Sequence, residues 1–535
     1  MNAHTIGLRA TSSAERHVIV IGAGMGGLAA TCDLVRQGVR VSLFESAQNP
    51  GGKMHQQWVA GRPIDSGPTV LTMRWVFDDL LQACGTRLEE GLRLHPLPVL
   101  ARHAWSPDER LDLFADPHRS ADAIAAFASP DESRRFLAFC DEARRIYQLM
   151  EGAYIRASRP SLFSMASDLG LRGVGMLSAL GPFASLWRSL GRHFKDPRLR
   201  QLFARYATYC GGSPWLSPAT LMLVAHVEMC GVWAAQGGMQ SVARRLAQVA
   251  QTLGAHLHFQ QPVAQILVRG GRACGVRLQD GREINADAVI FNGEAQALSQ
   301  GLLGDDVRTA SPKADRLPRS LSALTVALCA RADGFEPSYH NVFFQPDYAS
   351  EFTDVFEHSR LPVQATAYVC AQDRIPTMPP PADGLERLFL LINAPACGDH
   401  RPLTSEEISQ CERRVFQHLN HCGLQLSLES EPRLIRAPQH FHQRFPGSGG
   451  ALYGAAPHGW MSVFRRPSSQ SQIPGLFLAG GSAHPGAGVP MAALSGRLAA
   501  ATLMAHLDST RRSHRVRISG GMSTASATAA DTPSR

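Results

Sequence analysis

The chain is short of several things, and each shortage excludes a class of function. Only three lysines, Lys53, Lys195 and Lys313, stand among its 53 basic residues. Arginine therefore carries the formal charge of +8. The basic residues are dispersed, with one dense group at Arg511, Arg512, His514, Arg515 and Arg517. No zinc-finger, helix-turn-helix or RNA-recognition pattern accompanies them, so nucleic acid is not an expected partner. An anionic membrane surface stays open. None of the 11 cysteines forms a C-x-x-C pair, which leaves no zinc, iron–sulfur or thioredoxin-like signal and no expected metal. Scattered thiols suit a reducing compartment. No run of 18 apolar residues occurs, so no membrane-spanning helix is expected. The apolar stretch 18–30 has the wrong glycine pattern for a signal peptide, and the expected location is cytoplasmic.

What is present suits a large globular protein. Its 535 residues exceed one typical core, and 44% are hydrophobic. Residues 18–21 are too apolar for a strand wetted on either face. Gly22-Ala23-Gly24-Met25-Gly26-Gly27 follows, then a helix over 28–37 closed by Gly38, then a strand over 39–44 ending at Glu45. This is a βαβ unit carrying G-x-G-x-x-G. Gly22 permits the turn. Gly24 lets a pyrophosphate approach the backbone, and Gly27 lets helix and strand close. The helix N-terminus, at Met25 and Gly26, offers free N–H groups to phosphate. Glu45 can accept from ribose hydroxyls, which disfavours a 2′-phosphate.

A second glycine pair, Asn49-Pro50-Gly51-Gly52-Lys53, gives a second close approach of backbone to ligand. Helix formers dominate 110–229. A helix is expected from 239 to 250 and strands at 255–259, 263–269, 274–278 and 288–292, with a turn at Asp280-Gly281. Near the C-terminus a buried strand runs into Gly480-Gly481. Then come Ser482-Ala483-His484-Pro485-Gly486-Ala487-Gly488-Val489-Pro490-Met491 and a small-residue helix over 492–505. A strand, a glycine pair and a helix again present a helix N-terminus to a polar ligand.

These motifs resemble the flavin amine oxidase and phytoene desaturase superfamily, over about residues 18–507. The resemblance implies an α/β fold: a Rossmann-like FAD-binding domain, an inserted mixed α+β substrate domain and a helical membrane-facing part. It assigns Gly51, Gly52 and Lys53 to FAD, beside Gly22, Gly24, Met25, Gly26, Gly27 and Glu45. It adds Val263, after Gln261-Pro262, at the adenine end, and Gly480, Gly481, Gly488, Val489 and Met491 around the flavin. Asp65-Ser66-Gly67-Pro68-Thr69 resembles the family's segment near the flavin. The H-P-G-A-G-V-P ending is similar to carotenoid desaturases rather than amine oxidases. Residues 67–73, Gly449-Gly450-Ala451-Leu452-Tyr453-Gly454 and Gly459-Trp460 are similar to the 1-hydroxycarotenoid 3,4-desaturases of spheroidene and spirilloxanthin pathways. Phytoene desaturase, carotenoid isomerase, another oxidase of the superfamily and a non-catalytic binding protein are the alternatives.

The implied reaction removes a hydride and a proton from neighbouring carbons of an acyclic carotenoid, with FAD as the immediate acceptor and quinone or oxygen beyond it. No catalytic constellation stands out. Asp65, His484 and Tyr453 are candidates by position alone, each more readily a structural residue. The expected divisions are a loose leader (1–15), FAD-binding parts (16–105, 231–304, 441–508), a helical, membrane-facing region (106–230), a substrate domain (305–440) and a disordered tail (509–535). Peripheral attachment to the inner or photosynthetic membrane is expected through 162–194, where Leu186 and Trp187 accompany Arg188 and Arg192. An amphipathic core helix pair is the equal alternative there.

Overall fold

A computed structural model describes residues 16–158, 184–427 and 432–518. The first strand, His17–Ile21, is the centre of a five-stranded parallel sheet. Arg40–Phe44 and then His256–His258 lie on one side; Ala288–Phe291 and Leu476–Leu478 lie on the other. A strand with parallel neighbours on both sides and helices on its faces has no wet surface, which is why 18–21 is uniformly apolar.

The helix Met25–Val35 is buried along its whole length. It packs against the long C-terminal helix, Val489–Ile518, and the helix Gln240–Thr252. A side chain at Gly496 would place its Cβ 1.9 Å from the carbonyl oxygen of Gly26, so the small-residue pattern of 492–505 is the condition for this crossing. Asp33, buried in the same helix, is neutralised by Arg36 at 2.7 Å and Arg497 at 3.0 Å.

The second layer is a seven-stranded sheet. Its order is Arg433–Arg436, Ser322–Ala330, Glu386–Ala394, Ala367–Ala371, His340–Phe343, Val99–Ala104 and Arg110–Phe114. All neighbours are antiparallel except His340–Phe343 with Val99–Ala104. A separate antiparallel sheet, Val263–Arg269, Arg272–Leu278 and Glu283–Asn285, turns at Asp280-Gly281.

Three expectations need revision. The boundary at 105/106 cuts a hairpin, because Val99–Ala104 and Arg110–Phe114 are paired edge strands of the seven-stranded sheet. The C-terminal helix runs to Ile518, past the tail boundary at 509, since the Arg-rich stretch 509–518 holds no Gly or Pro to end it. Most of the expected membrane-attachment element 162–194, its residues 162–183, lies outside the described residues. Of its described part, Leu186 is fully buried and Trp187 stacks on Trp215 at 4.7 Å, with the Arg200 guanidinium on its ring. These two residues serve the core. No helix among the described residues is long and apolar enough to cross a membrane.

Candidate dinucleotide site

The glycine loop lies at the carboxyl ends of the central strands, where an open α/β sheet leaves a crevice. Gly22 takes φ +96°, and its amide donates to Phe44 O at 2.7 Å. A Cβ on Gly27 would stand 2.0 Å from Gly22 O, so only glycine closes helix on strand here. Glu45, at the tip of the neighbouring strand, accepts the Ala23 amide at 2.7 Å through Oε2 and the Ala47 amide at 2.8 Å through Oε1. It thereby ties the loop to the strand end and places a carboxylate beside it. The Gln261 amide donates to Glu45 O, which sets Val263 just beyond this acid.

The second glycine pair folds onto the first. The Gly51 amide donates to Ala23 O at 2.9 Å, and a Cβ on Gly52 would lie 3.2 Å from the Gly24 Cα. Lys53 extends away and donates to Glu294 Oε1 at 2.7 Å and Leu452 O at 2.9 Å. Its ammonium is therefore shared between the loop after the strand Ala288–Phe291 and the segment 449–454. The following segment packs on it in turn, for a Cβ on Gly67 would stand 1.9 Å from Lys53 O.

Gly480 and Gly481 arrive from the far edge of the same sheet. Here the structure brings in Asn292, which the sequence reading used only as a strand end. Its Nδ2 donates to Gly22 O at 3.1 Å. A Cβ on Gly26 or on Gly480 would lie 2.6 Å from its Oδ1, and one on Gly24 2.9 Å from its Nδ2. One amide side chain thus fills the space that these glycines leave between the two loops. Ser495 Oγ accepts the Gly480 amide at 3.1 Å, and Ser482 Oγ bridges Gly293 O and the Ala295 amide. Arg466 was also missed. It donates to Gly481 O, Tyr453 O and Ala455 O at 2.8–3.0 Å and stitches the C-terminal loop to 449–455. An arginine in a Pro/Ser-rich stretch has no periodic signal to find it by. Val489 begins the C-terminal helix, so Gly488, Val489 and Met491 stand at a helix N-terminus.

The three residues singled out for possible catalysis are each tied into the fold by at least one hydrogen bond. His484 Nε2 meets Ala157 O at 2.8 Å, so that nitrogen carries the proton, and the ring lies edge-on to Tyr154. Burial lowers its pKa to about 4, which keeps it neutral. Asp65 Oδ2 accepts the Met239 amide at 2.5 Å and holds the start of the helix Gln240–Thr252. Burial raises its pKa, and the Met239 and Gln240 amides partly offset that. The backbone of Asp65 is clamped on both sides by the Gln372 side chain. Tyr453 is anchored through its amide to Ser320 Oγ, and burial pushes its phenol up to about 12. His484 and Tyr453 offer no basic group, whereas Asp65 Oδ1 is buried without a hydrogen-bond partner and is the bare acceptor among the three.

Two glycine-walled approaches, two helix N-termini and an acid at the ribose position fit FAD, whose length exceeds what one such loop can hold. Bound there, FAD supplies a two-electron acceptor. Residues 25–504 match the model of the flavin containing amine oxidoreductase family. A hydroxyneurosporene desaturase of Rubrivivax gelatinosus is 56% identical over 96% of this chain and 97% of its own. A 1-hydroxycarotenoid 3,4-desaturase of a Flavobacterium species is 28% identical over 91% and 98%. Among solved structures, the cyclohexylamine oxidase of Brevibacterium oxydans superposes with a TM-score of 0.56 at 16% identity, over 92% of this chain and 100% of its own. With both halves of the cradle accounted for, the chain belongs to the flavin-containing amine oxidoreductases, in their carotenoid desaturase family.

Proposed function

We propose that this FAD-dependent oxidoreductase introduces the C-3,4 double bond into an acyclic 1-hydroxy- or 1-methoxycarotenoid of the neurosporene type, in spheroidene or spirilloxanthin biosynthesis. The observation that carries this reading is the near full-length likeness to hydroxyneurosporene desaturase. The neutral, hydrogen-bonded state of His484 agrees with it. Loss of hydride next to a conjugated polyene leaves a cation that the polyene itself spreads and that acidifies the neighbouring C–H, so a weak base suffices; water or the unpartnered Oδ1 of Asp65 would take that proton. The protein must orient the chain, hold the reacting carbons against the flavin and keep bulk water out. Quinone or oxygen then takes the electrons onward.

The substrate dissolves in lipid, so the protein must meet the bilayer from outside. Leu216, 51% exposed, and Trp460, 38% exposed, are neighbours, since the Gly459 amide donates to Leu216 O. They replace Leu186 and Trp187 as the proposed anchors, on the cytoplasmic face of the inner or photosynthetic membrane. The test is conversion of a carotenoid panel by FAD-loaded protein on liposomes. Conversion of 1-hydroxyneurosporene and not phytoene is expected; conversion of phytoene alone refutes the C-3,4 assignment.

A further inference from the structure

The turn after the strand Ala288–Phe291 meets both glycine loops within three residues. Asn292 fills the space between Gly22, Gly24, Gly26 and Gly480. Gly293 O accepts Ser482 Oγ at 3.0 Å, and the Ala295 amide donates to the same oxygen at 3.2 Å. One residue of the C-terminal loop therefore holds the backbone on each side of Glu294. Glu294 precedes the short helix Ala295–Ser299, yet its side chain does not cap that helix. It turns to Lys53 instead, whose Nζ donates to Oε1 at 2.7 Å. Lys53 follows Gly52, which stands against Gly24. This ion pair thus spans the gap from the Gly51-Gly52 turn to the Gly480-Gly481 turn.

The hydrogen bonding of the pair is incomplete on both sides. Glu294 is buried, and its Oε2 has no partner among the described residues. An ammonium has three N–H donors. Lys53 spends one on Glu294 Oε1 and one on Leu452 O at 2.9 Å, which leaves the third. One free donor and one bare acceptor therefore stand side by side on two atoms of the same ion pair. Both belong to residues embedded in the cradle, and neither serves the fold.

A donor beside an acceptor recognises an alcohol, which needs one of each. It does not suit a phosphate, which only accepts and is repelled by the carboxylate. Lys53 is already neutralised by Glu294, so the charge of a pyrophosphate falls to the N–H groups of the glycine loop and the helix start. Along FAD, the group that follows the pyrophosphate toward the flavin is the ribityl chain, with three hydroxyls. Lys53 occupies the matching place, one residue past the Gly24–Gly52 contact and facing the loop that carries Gly480.

We propose that Lys53 and Glu294 together bind the ribityl chain of FAD, with Glu294 Oε2 accepting a ribityl hydroxyl and Lys53 donating to its oxygen. The pair then fixes how far the flavin ring lies from the pyrophosphate, because it grips the link between them. The inference rests on FAD as the cofactor and is independent of which carotenoid is oxidised.

Glu294→Gln keeps the shape and an oxygen for Lys53 but puts an N–H donor where Oε2 stood. Full-length apoprotein is titrated with FAD and, separately, with ADP, which has the adenine end and the pyrophosphate and lacks the ribityl chain. In the variant the Kd for FAD is expected to rise about tenfold, the size of one buried hydrogen bond, and the Kd for ADP to stay as in wild type. FAD analogues that each lack one ribityl hydroxyl supply the second arm. One of them is expected to bind wild type about tenfold more weakly than FAD and to lose nothing further in Glu294→Gln. Equal weakening of FAD and ADP means that the pair only holds the loops together, and overturns the proposal. An unchanged Kd for FAD overturns it too, as does a loss confined to FAD methylated at the ring N3, which would put the pair on the flavin edge. Should Glu294→Gln fail to fold, the analogues on wild type decide, and full affinity for all of them refutes the ribityl contact. If wild-type apoprotein takes up no FAD, the cofactor assignment itself falls and this contact with it.

Discussion

Gly52 and Gly24 touch: a Cβ built on the first would lie 3.2 Å from the Cα of the second. Two turns 28 residues apart in sequence thus form one surface, and any side chain between them separates the loops. Gly52 also holds φ +59°. Gly52→Val is therefore expected to abolish FAD retention on purification, while Gly52→Ala costs about 1 kcal/mol in backbone strain alone. Flavin absorbance per mole of protein checks both. Full retention by the valine variant contradicts the contact.

Glu45 holds the same loop through the Ala23 amide. Glu45→Ala removes an ionised acceptor worth about 1.5–3 kcal/mol and should weaken FAD binding by roughly tenfold or more. Glu45→Gln keeps one acceptor and should fall between. Fluorescence titration of apoprotein with FAD measures the order. A Gln variant as weak as Ala would move the effect from geometry to charge.

His484 is a structural residue, so its removal should lower stability more than chemistry. His484→Asn is expected to leave kcat within about tenfold of wild type, whereas loss of a general base costs about 100-fold or more. Steady-state turnover at saturating carotenoid separates the two. A collapse of kcat with flavin still bound would restore His484 to the mechanism.

Acid should unfold the chain earlier than its carboxylates alone would. His103 and His340 are held near 3, and His484 near 4, below the ordinary value of 6.5. The unfolded chain binds protons there that the folded one refuses. Stability is complete above about pH 6.5 and is lost as pH falls toward 3–4, by about 2 kcal/mol per such histidine at pH 5. His103→Phe should flatten the fall in melting temperature between pH 7 and 5. An equal slope in variant and wild type would show that His103 titrates normally.

Membrane attachment is expected to depend on Leu216 and Trp460. Replacing both with Asp should reduce flotation with anionic liposomes and leave FAD bound. Unchanged flotation would place the docking face elsewhere.

The dinucleotide half was legible because its constraints are local. Residues 22–27 must turn, approach and pack within one βαβ unit, and each need selects glycine at a fixed spacing. Asn292, Ser495 and Arg466 were not legible. The partner of Asn292 lies far away in the chain, those of Ser495 and Arg466 lie across irregular loops with no periodicity to place them, and an Asn after a strand or an Arg beside a proline is ordinary until the fold brings the loops together. The hairpin Val99–Phe114 was hidden for a similar reason. It joins a sheet whose other strands come two hundred residues later, so nothing nearby marked it as part of that layer. The Lys53–Glu294 pair had no signal at all, since an acid in a turn reads as surface until its carboxylate oxygens are followed.

The most direct measurement is anaerobic mixing of the FAD-loaded protein with 1-hydroxyneurosporene in liposomes, recording flavin and polyene absorbance together. Bleaching of the oxidised flavin in step with a red shift from one added conjugated double bond is the expected result. Flavin that bleaches with aliphatic amines and stays oxidised in the presence of the carotenoid would contradict a desaturase and return the protein to amine chemistry.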